Sequence, residues 1–278
     1  MKIKQNMESI DVVNSISCDL EKPPNLVHKA MMDFFMEVTL LSRFTIRFFN
    51  QVFIPPYELK ELLKQCYNIG YKSLPLVGIT GFIMGVVLTI QSRPTLAQFG
   101  AESWLPAMVG ISIIREIGPV ITALICAGKV GSGIGAELAS MKVTEQIDAM
   151  EVSGINPFKY LVVTRILATT LMLPILVIIS DAIALGGSLL AVNIKADVSF
   201  YLYFGNVFEK LEFMDVIPAV IKTFFFGFVI GLIGCFKGFN SNKGTEGVGE
   251  SANSAVVYAS LLVFIMDMIA VQITSLFS

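Results

Sequence analysis

The sequence predicts an all-α integral membrane protein with about five transmembrane helices, and two observations lead to this class. Hydrophobic residues make up 54% of the chain, charged residues make up only 15%, and the mean hydropathy is +0.72. A soluble domain carries about 45–50% apolar and about 25% charged residues. In addition, five apolar segments are each long enough to cross the hydrocarbon core, which takes about 20 residues.

Residues 1–29 precede these segments and mix acidic with basic side chains. They lack the basic start, the apolar stretch and the small-residue cleavage site of a secretory signal. We expect them to form a polar cytoplasmic tail, followed by a single membrane domain at residues 30–278.

Residues 31–53 form the next element, which is long enough for a further span. At about 100° per residue its polar side chains fall in one sector, and Phe, Leu, Met and Val fill the rest. The polar residues are Asp33, Glu37, Arg43, Arg47 and Asn50. This pattern favours an amphipathic helix in the membrane interface over a span. Pro55 and Pro56 end the helix, and residues 57–72 predict a short helix that leads into the first span.

The predicted spans cover residues 74–91, 105–128, 161–192, 216–236 and 255–277. The third is longer than a simple span needs, and Pro174 near its middle predicts a kink. Lys and Arg are most frequent in the connections on the N-terminal side of the membrane. Because cytoplasmic connections carry this excess, the chain is expected to begin in the cytoplasm and to end outside.

Residues 129–160, between the second and third spans, are too polar for lipid and predict a cytoplasmic connection. Within this connection we expect a helix at residues 144–153. Thr144 is its candidate N-cap, and Gly154 followed by Asn156 and a proline ends it.

The two sides of this short helix differ in chemistry. Its apolar side holds Val143, Ile147 and Met150, and its acidic edge holds Glu145, Asp148 and Glu151. A helix of this length is marginal alone in water, so it must dock on something. It either rests on the membrane surface or docks on a cytoplasmic partner. The first alternative is less favourable, because an anionic leaflet repels acidic side chains.

Several kinds of site are excluded by the sequence. The stretch GKVGSGIGAEL from Gly128 lacks the Gly-Lys-Ser/Thr ending of a P-loop, so any ATPase that drives this protein is a separate chain. The net charge is −2 without a block of like charges, which argues against nucleic acid as a partner. The four cysteines, Cys18, Cys66, Cys126 and Cys235, are scattered and predict free thiols facing the cytoplasm or lipid. Neither a metal nor another cofactor is expected.

Charged residues occur inside four of the predicted spans: Arg115, Glu116, Asp181, Lys222 and Asp267. Each costs about 2.5–3.5 kcal/mol near the bilayer centre, so these groups must face one another or water. Lys222 is expected to pair with Asp267 or Glu116. The pairs either fix helix packing or line a cavity for a polar or amphipathic substrate. Arg115 and Glu116 point about 100° apart on a helix, so they are not expected to face one narrow seam.

Small residues recur at four-residue spacing in three of the helical segments. The pairs are Gly81 with Gly85, Gly131 with Gly135, and Gly227 with Gly231. Such pairs allow close contact between helices. Five spans make a small bundle, for which self-association is plausible.

Two stretches carry a family resemblance. REIGPVITALICAGKVGSGIGAELASMKVTEQIDAMEVSGINPFKYLVVTR, at residues 115–165, strongly resembles the permease subunits of the MlaE family, which belong to ABC lipid transporters. GCFKGFNSNKGTEGVGESANSAVV, at residues 234–257, is similar to the second characteristic stretch of that family. The likeness extends from about residue 31 to the C-terminus.

The resemblance implies a homodimeric permease of the bacterial inner membrane, with its C-terminus in the periplasm. Its implied partners are an ABC ATPase subunit and a substrate-binding protein with an MCE domain. Its implied cargo is phospholipid, and the transport of phospholipid maintains the lipid asymmetry of the outer membrane. The segment matching residues 137–154 contains the family's coupling helix, which sits on the ATPase. The matching coupling residues here are Thr144, Glu145, Gln146, Ile147, Asp148, Met150 and Glu151. The intramembrane charges at places matching the family are Arg115, Glu116, Lys222 and Asp267. Phenylalanines of the fourth span either accommodate lipid tails or simply face the membrane.

Two other function classes are less well supported by the sequence. An ion- or proton-coupled secondary carrier would use Glu116, Asp181 or Asp267 as its proton site. The missing internal repeat and the charged helical insert count against a carrier. A membrane-bound lipid enzyme is disfavoured because the only histidine, His28, lies in the polar tail without a catalytic constellation.

Overall fold

The computed structural model describes residues 26–55, 57–194, 198–241 and 244–277, and within these ranges the regular structure is entirely helical. Five helical segments are long and apolar enough to cross a membrane. Spans one to five are Leu59–Gln98, Glu102–Val143, Phe158–Asn193, Phe213–Phe239 and Thr245–Leu276. The all-α class and the five predicted spans are therefore confirmed. Cys18 and the greater part of the predicted tail lie outside the described residues.

The helices are numbered here in chain order. They are α1 Leu26–Val52, α2 Leu59–Gln98, α3 Leu105–Ser112, α4 Gly118–Cys126, α5 Ser132–Val143, α6 Gln146–Val152, α7 Thr164–Asn193, α8 Phe200–Lys210, α9 Phe213–Phe239 and α10 Thr245–Phe277. Span two consists of α3, α4 and α5, joined by π-helical turns at Ile113–Ile117 and Ala127–Gly131. Span three begins with a π-helical segment, Phe158–Val163, that continues into α7.

The chain divides into two compact units, residues 1–47 and residues 48–278. The described part of the first unit is helical and belongs to α1, which begins at Leu26, within the predicted polar tail. Its hydroxyl groups bond within the helix, since Thr39 and Ser42 each donate to the backbone carbonyl four residues earlier. Large apolar side chains such as Phe34 and Phe35 are exposed. The helix is not among the five candidate spans, and its place in the membrane interface remains a prediction.

Span one is a single helix of 40 residues. The sequence predicted a short helix at residues 57–72 and a separate span at 74–91, but the two are continuous, and Pro75 and Pro94 both lie inside the helix. Proline is tolerated in such helices where neighbouring groups satisfy the freed backbone carbonyls.

Span two extends well beyond the predicted end at residue 128, because the helix continues to Val143. The glycine-rich stretch is thus helical, and the predicted cytoplasmic connection begins within the helix. Close packing explains the glycines: a Cβ on Gly238 would lie 2.7 Å from the carbonyl oxygen of Gly135, and one on Gly234 would lie 3.0 Å from that of Gly131. Spans two and four can approach this closely only without side chains at these positions.

The other two glycine pairs also sit at helix contacts, as predicted. In span one, a Cβ on Gly85 would lie 1.9 Å from the carbonyl oxygen of Ala184 in span three. In span four, a Cβ on Gly231 would lie 2.1 Å from Oγ1 of Thr169. Span three therefore lies between spans one and four at close range.

Helix α8 was not predicted. Ser199 caps its start by accepting a hydrogen bond from the backbone N–H of Leu202 at 3.3 Å. Tyr203 and Val207 are fully buried in a cluster with Val109 and Leu185 of spans two and three. Two buried side chains one turn apart are too weak a sequence signal to separate a short helix from a loop.

The cysteines correct one further expectation. Cys126 and Cys235 are free thiols, as predicted, but both are buried among the helices and do not face the cytoplasm or lipid. Cys66 is half-buried.

Candidate functional site

Five charged side chains meet where span two crosses spans four and five. We call them the charge cluster: Arg115 and Glu116 from the π-helical turn Ile113–Ile117, Asp215 and Lys222 from α9, and Asp267 from α10. All five lie within segments that are candidate spans.

Lys222 is the centre of this charge cluster. Its Nζ lies 2.7 Å from Oε2 of Glu116 and 3.0 Å from Oδ1 of Asp267, and its side chain is only 7% exposed. Both ion pairs predicted for Lys222 are therefore present. A buried ammonium group held by two carboxylates links three spans and avoids the cost of a lone charge at membrane depth.

Arg115 has a partner that the sequence analysis missed. Its Nη1 lies 3.3 Å from Oδ1 of Asp215, in the first turn of α9. Asp215 also accepts a hydrogen bond from the backbone N–H of Glu212 at 3.1 Å, which caps the helix. Asp215 was overlooked because the predicted span started one residue later. An acidic residue in the first turn of a helix is the signal that could have drawn attention to it.

Arg115 and Glu116 both face α9, contrary to the expectation that they would point to different seams. Their partners Asp215 and Lys222 are seven residues apart, about 10 Å along one helix, so two long side chains can reach the same helix at different heights. Both side chains line a cavity of about 30 Å³ together with Thr274 of α10. The cavity has room for about one water molecule.

The charge cluster is buried at one side and open at the other. Asp267 is 17% exposed, whereas Glu116 is 45% and Arg115 is 48% exposed. Two cations and three carboxylates leave a formal charge of −1. Hydrocarbon cannot solvate half-exposed charges. This face of the chain must therefore border a second protein surface, water or the polar part of a ligand.

Asp181 of span three lies apart from the charge cluster. Among the described residues, no hydrogen-bond partner reaches its buried Oδ1. The oxygen packs against Gly118, where a Cβ would lie only 1.7 Å away. The side chain lines an apolar cavity of about 290 Å³ with Phe208 and Val220 among its walls.

The predicted coupling helix is α6, and its start differs from the prediction. Thr144 is not the N-cap, because its hydroxyl donates to the backbone carbonyl of Ser140 at 2.9 Å in the last turn of α5. The N-cap position belongs to Glu145, whose φ of 59° is left-handed and whose side chain makes no capping hydrogen bond. The prediction failed because α5 extends to Val143 and leaves no room for a separate cap at Thr144.

The end and the faces of α6 follow the prediction more closely. Gly154 adopts a φ of +77°, where glycine is favoured, and the helix ends at Val152. Ile147 is buried and Met150 is half-buried, so the apolar side faces the protein. The outward side chains are Glu145, Gln146, Asp148 and Glu151, together with Val152, which is 90% exposed. An acidic surface with one protruding apolar side chain thus points away from the membrane domain.

Comparison with known proteins places this geometry in a family. A family model described as Permease MlaE matches residues 62–273. A "Probable ABC transporter permease protein" of Rickettsia prowazekii is 40% identical over 254 residues, which cover 91% of this chain and 98% of that protein. A protein of Haemophilus influenzae named "Intermembrane phospholipid transport system permease protein MlaE" is 33% identical over 251 residues, or 88% of this chain and 94% of that protein.

Proposed function

The chain belongs to the MlaE permease family, and we propose that it is the membrane subunit of an ABC transporter for phospholipids or related lipids. In this proposal the lipids move between the inner membrane and the outer envelope. A separate ATPase subunit supplies the energy, and a substrate-binding protein with an MCE domain receives or delivers the lipid. The name of the Haemophilus relative, a phospholipid transport permease at 33% identity, supports the choice of phospholipid.

The half-open charge cluster is the observation that carries this proposal. Arg115 and Glu116 are about half exposed although they lie inside a candidate span. A second copy of the chain facing the same surface would enclose these charges in a shared cavity, as expected for a homodimer. The cations could meet a lipid phosphate there, while apolar side chains such as the exposed Phe224 and Phe225 contact the tails.

The exposed surface of α6 supports an ATPase as the partner. We propose that Glu145, Gln146, Asp148 and Glu151 contact the ATPase directly. The inward residues have a different role: Ile147 and Met150 seat the helix on the membrane domain, and Thr144 fixes the preceding turn. Motion of the ATPase would then shift the equilibrium between two states of the permease.

The proposed orientation follows from the Lys and Arg counts. The N-terminus and α6 lie in the cytoplasm, and the C-terminus lies in the periplasm. The charge cluster then falls in the periplasmic half of the membrane, because Asp215 belongs to the first turn of a span that runs inward.

A secondary carrier is the second candidate, and Asp181 is the observation that favours it. A carboxyl group inside the membrane without a visible hydrogen-bond partner on Oδ1 is typical of a proton site. The cavity that it lines is mainly apolar, however, and no residue of the charge cluster is among its walls.

One experiment separates the two candidates. The chain is co-expressed with its neighbouring genes, purified in mild detergent and analysed by native mass spectrometry for subunits and bound lipid. The complex is then placed in liposomes, and lipid transfer is measured with ATP and with a proton gradient. Two copies with ATPase subunits and ATP-dependent lipid transfer would support the proposal. A lone chain with transfer driven by the gradient would replace it with the carrier.

A further inference from the structure

The segment that follows α6 is attached to the turn between α1 and α2. We call Asn156, Lys159 and Tyr160 the link. Asn156 lies between α6 and span three, and Lys159 and Tyr160 lie in the first turn of span three. On the other side are Gln51, Ile54, Tyr57 and Glu61, which we call the elbow and which lie where the chain passes from α1 into span one. About a hundred residues of sequence separate the two groups.

Four polar contacts join the link to the elbow. Asn156 donates its side-chain N–H to Oε1 of Gln51 at 3.5 Å. Lys159 donates to the backbone carbonyl of Ile54 and lies over the ring of Tyr57, with Nζ 5.8 Å from the ring centroid. The hydroxyl of Tyr160 donates to Oε2 of Glu61 at 3.3 Å.

Glu61 is held in position to accept this hydrogen bond. Nε2 of Gln65, one turn later in α2, donates to Oε1 of Glu61 at 2.7 Å, and Lys64 lies 3.5 Å from Oε2. The Glu61 side chain is nearly buried, although it lies in the first turn of the helix. An acidic side chain is favoured there by the helix dipole. The carboxylate is therefore a fixed point at the start of span one.

The link is also coupled to α6 through the chain. Only the turn containing Gly154 separates the two, and the backbone N–H of Ile155 donates to the carbonyl of Met150 at 3.0 Å. A displacement of α6 must therefore move the link. Spans two and three are joined to α6 covalently, whereas span one is connected to it only through packing against span three and through the polar contacts of the elbow.

We propose that the link transmits the motion of α6 to span one through its contacts with the elbow, above all through Tyr160 and Glu61. Tyr160 and Glu61 are then positioning residues, which act on transport through span one and do not touch the lipid. Since α6 moves only if an ATPase drives it, this inference rests on the proposed function. Directional polar contacts suit such a role, because they can hold two elements in register and re-form after a movement.

The test compares ATP hydrolysis with lipid transfer in the same liposomes containing the complete complex. The variants are Tyr160→Phe, which removes only the hydroxyl donor, and Glu61→Met, which removes both carboxylate oxygens and keeps a side chain of similar length. The matched control is Tyr67→Phe, which removes the hydroxyl of an exposed tyrosine in span one. The ring of Tyr67 stacks on Tyr71, and phenylalanine preserves this stacking. Amide hydrogen exchange in the elbow is also measured with and without bound nucleotide.

We expect Tyr160→Phe to keep ATP hydrolysis near the wild-type rate and to lower the lipid transferred per ATP about fivefold or more, the usual lower range of a coupling between two sites. The nucleotide-dependent change of exchange in the elbow should disappear. Glu61→Met should act in the same direction, and the double variant should add little to the loss of coupling, because both changes break the same hydrogen bond. Tyr67→Phe should match the wild type in all measurements.

Two results would overturn the inference. One is an unchanged ratio of lipid transfer to ATP hydrolysis in Tyr160→Phe and Glu61→Met. The other is a parallel loss of both activities together with a lower melting temperature, which indicates a purely structural contact. Failure of the proposed function looks different, since the wild-type complex itself would then show no ATP-dependent transfer, and the role of the link would fall with it.

Discussion

Lys222 shows what a single residue contributes to this membrane domain. Its ammonium group is buried and contacts two carboxylates from two other spans. Without it, Glu116 and Asp267 would face each other with no cation between them. The residue therefore stabilises the packing of spans two, four and five, whatever else it does.

This predicts the effect of Lys222→Met. Removing one partner of a fully buried ion pair costs about 3–5 kcal/mol. The cost here should be smaller, because Asp267 stays largely buried while Glu116 is 45% exposed. We expect a clearly lower melting temperature in detergent and a lower yield. Lys222→Arg keeps the positive charge and serves as the control, with a much smaller loss. A melting temperature of Lys222→Met equal to that of the wild type would contradict the arrangement of the charge cluster.

The residues of the charge cluster were only partly predictable. Lys222, Glu116 and Asp267 could be paired from the sequence, because isolated charges are too costly at membrane depth. Asp215 could not be paired with Arg115 from the sequence, because a carboxylate at the start of a helix needs no partner inside the membrane. The shared orientation of Arg115 and Glu116 depends on the reach of two long side chains, which an angle on a helical wheel ignores.

At the scale of the elements, helix pairing depends on the absence of side chains. Hydrocarbon solvates apolar helices as well as another helix does, so close contact must come from shape. Gly85 of span one lies directly against the backbone of Ala184 in span three. The backbone cannot move aside as the end of a flexible side chain can.

Gly85→Ala should therefore separate spans one and three. The added methyl group would sit 1.9 Å from a carbonyl oxygen, and such overpacking costs about 1–3 kcal/mol. Gly186→Ala in span three is the control, because a Cβ there meets nothing within 4 Å. Thermal unfolding in detergent should show a loss for Gly85→Ala and no loss for Gly186→Ala. Equal melting temperatures for the two variants would refute the close contact.

Helix α6 permits a test of partner recognition. Changing Glu145, Asp148 and Glu151 to lysine reverses the charge of the outward face while Ile147 stays buried. Reversal of a complementary charge pattern turns attraction into repulsion. We expect the triple variant to fold but to lose the co-purifying ATPase. Glu102→Lys, an exposed charge reversal at the start of span two, is the control and should retain it. Undiminished binding by the triple variant would mean that this edge is not the contact surface.

The elements themselves were predictable to different degrees. The presence of a span can be predicted from the length and hydropathy of a segment alone, and all five spans were predicted in this way. Their ends were not, because α2 and α5 continue as helices into segments that are too polar to signal a span. The predicted N-cap of α6 was wrong for the same reason, because the position of the cap depends on where α5 ends.

At the scale of the whole molecule, the chain exposes two kinds of surface. Large apolar side chains cover much of spans one and five. In an apolar stretch of 18 residues within each span, only 28% and 17% of the residues are buried, as suits contact with lipid. The open side of the charge cluster interrupts this apolar surface with polar groups. A single chain in a bilayer would leave these groups in hydrocarbon, which is why a second copy and a lipid headgroup are proposed there.

The most direct test asks whether the charge cluster serves transport or only packing. The triple variant Lys222→Met, Glu116→Gln and Asp267→Asn removes three of the five charges together and leaves the Arg115–Asp215 pair. Replacing a complete buried ionic group is often neutral for stability. We predict that this variant assembles with the ATPase and melts near the wild-type temperature, but loses most of its ATP-dependent lipid transfer. Transfer at the wild-type rate would show that these three charges only hold the helices together and would contradict their proposed part in the lipid pathway.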